Sequence, residues 1–500
     1  MKLENLFEHS DKIWIQGDPS VDVGGLSYDS RTCKKGDMFF AVGGFNADGN
    51  AYIQDALAKG AVAVVSENKE VLLTLLKQTQ ACAVWVPDAR KALSAVASVY
   101  YGHPSTKLKV IGITGTNGKS STAFFLKELL ESQGRKVGII GTLGNYFEDW
   151  NGSTSHTTPE SVEIQAILHH MVQLGADYCI MEVSSHALAL HRVENVDFHA
   201  GIFTNISQDH LDFHHTMEEY YLAKEKLFRY NHVYAIINTD DPYGRRIYER
   251  LHHTNTCPIG FGMEKPTDYR IELEQQSEEG TLFSLIKEGE GSWKIATNQV
   301  GAFNAYNVTC AMLAAKMEQL EWPQVLSIVK ELSGVRGRME KIQAAAGFTV
   351  ILDFAHTPDG LENVLKSIGL SVRGKIITVF GCGGDRDRSK RPIMGRIALE
   401  GSDVVVVTSD NPRTEDPMAI IREIEEGMDQ GAHRYMVEVD RKKAIEKALA
   451  MAKPGDVVVI AGKGHETTQI IGTSSYPFDE RTIVEEFLNK HESHEDQRGQ

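Results

Sequence analysis

The chain has 500 residues, 42% hydrophobic and 24% charged, which is ordinary globular composition and enough for three domains with buried cores. Its formal net charge of −16 excludes a general binder of nucleic acid or of anionic membrane surfaces, although local basic clusters can still take up anionic small molecules. Six scattered cysteines, none in a Cys-x-x-Cys pair, give neither a disulfide framework nor a zinc site and fit a reducing cytoplasm.

The start, MKLENLFEHSDKIW, has no basic stretch leading into an apolar core, so no secretory leader is expected. The longest apolar runs, such as 403–409, are strand-sized, so no membrane span is expected. Residues 1–105 read as a first domain, with short strands at 38–42 and 61–65 and loops rich in Gly, Asp and Asn. Residues 106–335 read as a second. There apolar strands at 110–114, 137–141, 178–183, 200–206 and 233–238 alternate with amphipathic helices, the signature of a doubly wound parallel sheet. Residues 336–500 repeat that style, with strands at 349–356, 376–382, 404–410 and 457–464. The Gly- and Arg-rich stretch 334–338 reads as a hinge, and the polar last dozen residues as a frayed terminus. Nearly every strand ends in a loop bearing Gly, Asp, Asn or His. Open α/β sheets bind ligands outside the carboxyl ends of their strands, so the chemistry is expected along one rim of the central sheet, facing the third domain.

The segment KVIGITGTNGKSSTAFFLKELL, 109–130, combines a buried strand, a small-residue loop and an amphipathic helix. Glycines allow close approach of backbone N–H groups to a phosphate, and the helix N-terminus adds partial positive charge. Lys119 reaches the outer phosphates in such a loop, and the Ser120 hydroxyl sits on magnesium. The strict pattern wants glycine at 113, where this chain has Ile113 flanked by Gly112 and Gly115, so the loop is a variant.

Further candidates follow at strand ends. Glu182 closes an apolar strand, where it is either a magnesium-organising carboxylate or a solvent-facing terminus. Asn205, Asp209, His210 and Asp212 crowd one loop. Lys224 and Lys226 lie among apolar neighbours on a helix, where a solvated head is the default. Asn304 and Asn307 open another helix, a position common for caps, and Arg336 and Arg338 sit at the hinge, where an arginine can reach a phosphate on closure. The loop GGDRDRSKR concentrates Arg386, Arg388, Lys390 and Arg391, and Arg413 follows Asp410, Asn411 and Pro412. Arginine forks bind carboxylates bidentately, so two such loops argue for a substrate bearing carboxylates; turn arginines paired with nearby aspartates are the plainer alternative.

Together these motifs resemble the Mur ligases, ATP-dependent amide-forming enzymes of peptidoglycan precursor synthesis. The resemblance runs through DSRTCKKGDMFFAVGGFNADG (29–49), TGTNGKSS, HTTPES, MEVSSHALALHRV, TNISQDHLD, AKEKLF, NAYN, GVRGRME, DFAHTPDGL, GGDRDRSKRP, DNPR and AGKGHE. It implies an α/β fold in three domains, with a central P-loop doubly wound sheet and a Rossmann-like C-terminal domain. It also implies ATP and Mg2+ as cofactors, a monomer in the cytoplasm, and as substrates UDP-MurNAc-L-Ala-D-Glu and meso-diaminopimelate.

By resemblance, the catalytic residues are Lys119, Glu182, His210 and Lys224. ATP would be held by Gly115, Thr116, Asn117, Gly118, Lys119, Ser120, Ser121, Asn304, Arg336 and Asp353. Magnesium would be placed by Ser120, Glu182, His210 and, as the carbamylated lysine of the family, Lys224. The UDP-sugar peptide would meet Ser30, Phe45, Asn46, Ala47, His156, Thr157, Thr158, Ser184 and Arg192. His156 and Leu190 depart from the Asn and Gln of many relatives. The amino acid would meet Arg386, Asp410, Asn411, Pro412, Arg413, Gly462 and Glu466. An arginine facing the second carboxylate of diaminopimelate rewards it and leaves lysine's ammonium poorly placed. The alternatives are the same ligase taking lysine or another diamino acid, a non-catalytic nucleotide-binding paralogue, and a paralogue with a shifted peptide acceptor.

Overall fold

The computed structural model describes residues 1–7, 14–44, 48–75, 79–152, 156–370, 372–429 and 434–498. The chain divides into two compact units. The first comprises 1–112, 135–201 and 226–233, and the second comprises 113–134, 202–225 and 234–500. The strands Lys109–Thr114 and Phe198–Phe203 contribute residues to both.

In the first unit a five-stranded sheet runs in the order Trp14–Gln16, Cys82–Trp85, Ala63–Ser66, Asp37–Phe40, Gly25–Ser27. Only the first pair is antiparallel. Its inner parallel strands are buried and mostly apolar, and Met38, Phe40, Val65, Val84, Leu93 and Val96 pack into one core. The same unit pairs Val137–Gly141 with Tyr178–Glu182 in parallel and carries the antiparallel additions Gly144–Phe147 and Trp150–Gly152. Tyr28 donates to Glu163 on the helix Ser161–Gln173 at 2.9 Å, which ties the five-stranded sheet to that helix.

Among the described residues the second unit carries strands of two larger sheets and the small antiparallel pair Thr468–Ile471 and Ser474–Pro477. One larger sheet contains the parallel pair Tyr234–Asn238 and Cys257–Gly262, then an antiparallel meander of Tyr269–Ser277, Gly280–Lys287 and Gly291–Thr297. The sequence reading passed over this meander. Its strands alternate half-exposed and buried positions, so they lack the continuous apolar runs that mark the parallel strands. The other sheet has six strands in the order Glu340–Gln343, Thr349–Asp353, Val457–Ala461, Ile376–Phe380, Val404–Val407, Tyr435–Val437, parallel after the first pair. The final helix, Glu480–Arg498, continues through the polar segment read as frayed. Among the described residues no helix is long and apolar enough to cross a membrane.

Candidate active site

The phosphate loop lies between the strand Lys109–Thr114 and the helix Lys119–Glu131. Gly118 caps the helix at φ 85°, and a Cβ there would sit 2.3 Å from Asn307 Oδ1; Gly115 leaves as little room against Thr204. Neighbouring backbone fixes the loop. Thr116 N donates to Asn205 O at 2.8 Å, Asn117 N to Asn205 Oδ1 at 3.0 Å, and Thr204 Oγ1 to Asn117 O at 2.6 Å. Lys119 Nζ is held inside it, donating to Gly115 O at 3.0 Å and Thr116 O at 2.8 Å.

Lys224, read from sequence as solvated by default, is instead buried. Its Nζ donates to Gly115 O at 2.7 Å and lies 4.6 Å from the Tyr220 ring centroid. Burial first, then the neighbouring Lys119 charge, pushes its ammonium well below the usual lysine range.

A cavity of about 370 Å³ opens beside the loop. Asn117, Gly118 and Ser121 line it from the phosphate loop, Asn304 and Asn307 from the helix Ala302–Met317, and Arg338 and Asp353 from the C-terminal part of the chain. Asn304 does not cap its helix; its Nδ2 donates back to Val300 O at 2.9 Å, and its Oδ1 accepts from Asn307. Asp353 accepts from the backbone N–H groups of Met339 and Ala355, each at 2.7 Å. Arg338 donates to Ser120 Oγ at 3.2 Å and lies over the Phe354 ring at 4.5 Å. Arg336, the hinge arginine expected at the nucleotide, lines no part of this cavity. It is exposed and paired with Asp479 at 2.7 Å. Arg338 and Asn307, candidates in the sequence that the resemblance did not name at the nucleotide, line the cavity. Gly337 at φ 66° separates the two arginines and sends them different ways.

The loop 205–212 is joined to the C-terminal sheet. Asp209 is buried with Lys390 Nζ at 3.1 Å and with His210 and His356 each at 3.5 Å. Burial opposes its charge, but these three groups outweigh it and hold the carboxyl well below the usual range. Gln208 adds a bond to Ser389 Oγ at 2.8 Å.

Loops at the carboxyl ends of the C-terminal strands bring the predicted amino-acid residues together. Asn411 Nδ2 donates to Glu466 Oε2 at 2.9 Å. Arg413 NH1 donates to Gly384 O at 2.8 Å, and Arg386 NH1 to Asp385 O at 2.8 Å. A Cβ on Gly383 would sit 3.0 Å from Arg413 NH1 and 3.7 Å from Arg386 Cγ, so the two side chains converge on the same glycine. Burial, then the Arg386 charge, lowers the affinity of Arg413 for its proton. Asp410 and Pro412 are buried beside them, and a Cβ on Gly462 would sit 2.6 Å from Asp410 Oδ2. The other cations of the GGDRDRSKR loop have structural partners. Arg391 is fully buried between Glu415 and Glu423, each at 2.8 Å, Arg388 pairs with Glu423, and Lys390 is bound to Asp209. Of the four, Arg386 alone faces Arg413.

In the first unit, residues expected to meet the UDP-sugar peptide gather at the end of the strand Tyr178–Glu182. Glu182 is fully buried, not solvent-facing, and accepts from Thr142 N and Oγ1, both at 3.0 Å. Thr142 Oγ1 in turn accepts from Thr157 Oγ1 at 3.1 Å. Thr158 Oγ1 donates to Glu182 O at 2.8 Å and accepts from Ser184 N at 2.9 Å. Arg192 donates to Thr158 O at 3.0 Å and pairs with Glu160 at 2.8 Å. His156 is exposed; Ser30 lies apart in the N-terminal region, its carbonyl bonded to Lys59. Phe45, Asn46 and Ala47 lie outside the described residues.

Three family models match in series: the Mur ligase family catalytic domain over 22–101, the Mur ligase middle domain over 113–315, and the Mur ligase glutamate ligase domain over 337–464. The chain belongs to the Mur ligase family. Its relatives include the UDP-N-acetylmuramoyl-L-alanyl-D-glutamate–2,6-diaminopimelate ligases of Clostridium tetani (42% identical, covering 98% of this chain and 100% of the relative) and Clostridioides difficile (43%, with the same coverage). A solved structure with the same description superposes with a TM-score of 0.69 at 32% identity, over 98% of this chain and 99% of that one. For a Mur ligase, the phosphate loop and its adjoining cavity are the expected seat of the nucleotide.

Magnesium needs few protein ligands when phosphates and waters complete its octahedron. In the second unit the buried Ser120 hydroxyl beside Lys119 is such a donor; in the first unit the Glu182 carboxylate, oriented by Thr142, is a hard oxygen donor. Among the described residues no group of three or more His, Cys, Asp or Glu side chains forms a self-sufficient metal cage.

Proposed function

We infer that this protein is the ATP-dependent ligase that joins meso-2,6-diaminopimelate to the D-glutamate of UDP-MurNAc-L-Ala-D-Glu, acting as a cytoplasmic monomer in peptidoglycan precursor synthesis. The observation that carries the reading is the convergence of Arg386 and Arg413 on Gly383, close to Asn411 and Glu466. Two forks suit a distal carboxylate, and Glu466 suits the ammonium beside it. The diaminopimelate ligases among its relatives support the same substrates. Residues 1–105 would bind the UDP-sugar, 106–335 ATP, and 336–500 the amino acid.

Transfer of the γ-phosphoryl group to the substrate carboxylate gives an acyl phosphate, which the amino group attacks; the tetrahedral intermediate then expels phosphate. Such transfer needs positioning and charge neutralisation more than covalent help from protein. Loop N–H groups at Gly118 and the helix start cradle the phosphates, Lys119 reaches the outer ones, and Arg338 adds a second cation from the C-terminal side. Asn304, Asn307 and Asp353 frame the rest of the nucleotide. Ser120, Glu182, His210 and carbamylated Lys224 would hold Mg2+, which neutralises charge on the transferred phosphoryl group. A neutral Lys224 amine is the form that adds to CO2; loss of a proton then leaves an anionic oxygen donor.

A lysine-adding ligase is the second reading. The test is ADP release and tripeptide mass with UDP-MurNAc-L-Ala-D-Glu, ATP, Mg2+ and a panel of amino acids, for the wild type and Arg413→Ala. Preference for meso-diaminopimelate, falling about a hundredfold or more in the variant, is expected. Equal or better use of lysine by the wild type would overturn the substrate assignment.

A further inference from the structure

Lys463 lies between the two predicted ligands Gly462 and Glu466, yet no role falls to it above. Its side chain has no exposed surface. Nζ donates to Asn411 Oδ1 at 3.0 Å and to Glu466 Oε2 at 2.7 Å. Beneath it, Arg441 is fully buried, pairs with Glu480 at 2.7 Å, and donates to Ala461 O at 2.8 Å, so the root of the loop is fixed. Asp410 Oδ2 faces this layer with Arg441 at 3.9 Å.

Two consequences follow from those bonds. Asn411 Oδ1 accepts from both Lys463 and Ile470 N, at 3.0 and 2.9 Å, so the amide cannot turn over without losing two donors. Its Nδ2 gives one hydrogen to Glu466 and keeps the other for an acceptor. Asn411 is thereby fixed as a donor, which suits a carboxylate and not an ammonium. Glu466, in turn, already has an ammonium on one oxygen, so its charge is locally balanced. A distal ammonium of the substrate gains a hydrogen bond there but little net attraction.

We propose that Lys463 is a specificity-determining positioning residue: through Asn411 and Glu466 it biases the pocket toward an amino acid whose far end carries a carboxylate with its ammonium, and against one whose far end carries an ammonium alone. This rests on the diaminopimelate reading. Without Lys463, Glu466 becomes an unbalanced carboxylate and Asn411 loses one of its two locks; both changes favour lysine.

The test uses the full chain with UDP-MurNAc-L-Ala-D-Glu, ATP and Mg2+, comparing kcat/KM for meso-diaminopimelate and L-lysine. In Lys463→Met the ratio of the two is expected to fall about tenfold or more with the KM for ATP unchanged, and Lys463→Arg should restore part of it. A purely structural role lowers both amino acids by the same factor, and that result overturns the proposal. Should Lys463→Met fail to fold, Glu466→Gln decides. It leaves the Lys463 ammonium bonded to Asn411 Oδ1 but without a carboxylate and is expected to widen the ratio, and an unchanged or narrowed ratio overturns the proposal. A wild type with no preference for diaminopimelate overturns the substrate reading and this inference together, whereas a preference that survives Lys463→Met overturns the inference alone.

Discussion

The two hinge arginines offer the sharpest test of the nucleotide site. They lie two residues apart in the sequence, yet Arg338 donates to Ser120 Oγ and lines the cavity while Arg336 pairs with Asp479 at the surface. Arg338→Ala removes a fixed cation beside the phosphate loop. Loss of one such preorganised donor typically costs about 10²–10³ in kcat, or roughly 3–4 kcal/mol of transition-state stabilisation. Its place over the Phe354 ring adds about 0.5–1 kcal/mol of folding stability, which calorimetry registers separately. Arg336→Ala removes only an ion pair whose side chains are 49% and 28% exposed, so stability should change by about 0–1 kcal/mol and kcat by less than about threefold. The assay is ADP release at saturating UDP-sugar peptide and amino acid, with ATP varied. Arg338→Lys should fall between wild type and Ala, because an ammonium keeps the charge but loses the fork. If Arg336→Ala loses as much kcat as Arg338→Ala, the assignment of Arg338 to the phosphates is wrong.

Arg391→Met strands Glu415 and Glu423 without their shared guanidinium, and urea unfolding should show a loss of about 3 kcal/mol; a loss under about 1 kcal/mol would contradict a structural role. His465 is pushed down to about 3 by burial and then by the Arg338 charge, so the folded chain binds fewer protons than the unfolded one between about pH 3 and the ordinary histidine value. Stability should therefore be lost as the pH drops through that window, by up to about 1.4 kcal/mol per unit from this residue. His465→Asn should lose that component, and parallel unfolding curves for wild type and variant at pH 7, 5 and 4 would count against it.

The phosphate loop was legible because its requirements are local: strand, glycines, Lys119, Ser120 and helix are contiguous in the chain. The strand-end positions of Glu182, Asp353 and Asn411 were legible for a related reason, since apolar runs mark where parallel strands stop. What escaped the sequence depends on partners far along the chain. Lys224 reads as a surface lysine on its own helix, and its bond to Gly115 O, more than a hundred residues earlier, is what the sequence does not show. Arg388, Lys390 and Arg391 look like a ligand-binding cluster until Glu423, Glu415 and Asp209 arrive from other elements. Arg336 and Arg338 are indistinguishable by composition, and the positive φ of Gly337 between them has no signature beyond the glycine itself.

The cations of the second unit sort by what accepts their hydrogen bonds. Lys390, Arg391 and Arg441 donate to carboxylates, at 3.1, 2.8 and 2.7 Å, and their charge is neutralised where they stand. Extracting any of them for a ligand would leave a poorly solvated carboxylate behind, at about 3–5 kcal/mol, so they serve to fix loops. Lys119, Arg386 and Arg413 donate to backbone carbonyls, and Arg338 to a hydroxyl. A neutral acceptor holds the side chain in place without cancelling its charge, and exchanging it for an anionic oxygen is favourable because charge-assisted bonds are the stronger. By that criterion Arg386 and Arg413 remain available to carboxylate. Lys463 differs from both groups. It is divided between a carboxylate and an amide, which is why its removal should alter selection among amino acids and leave ATP binding unchanged.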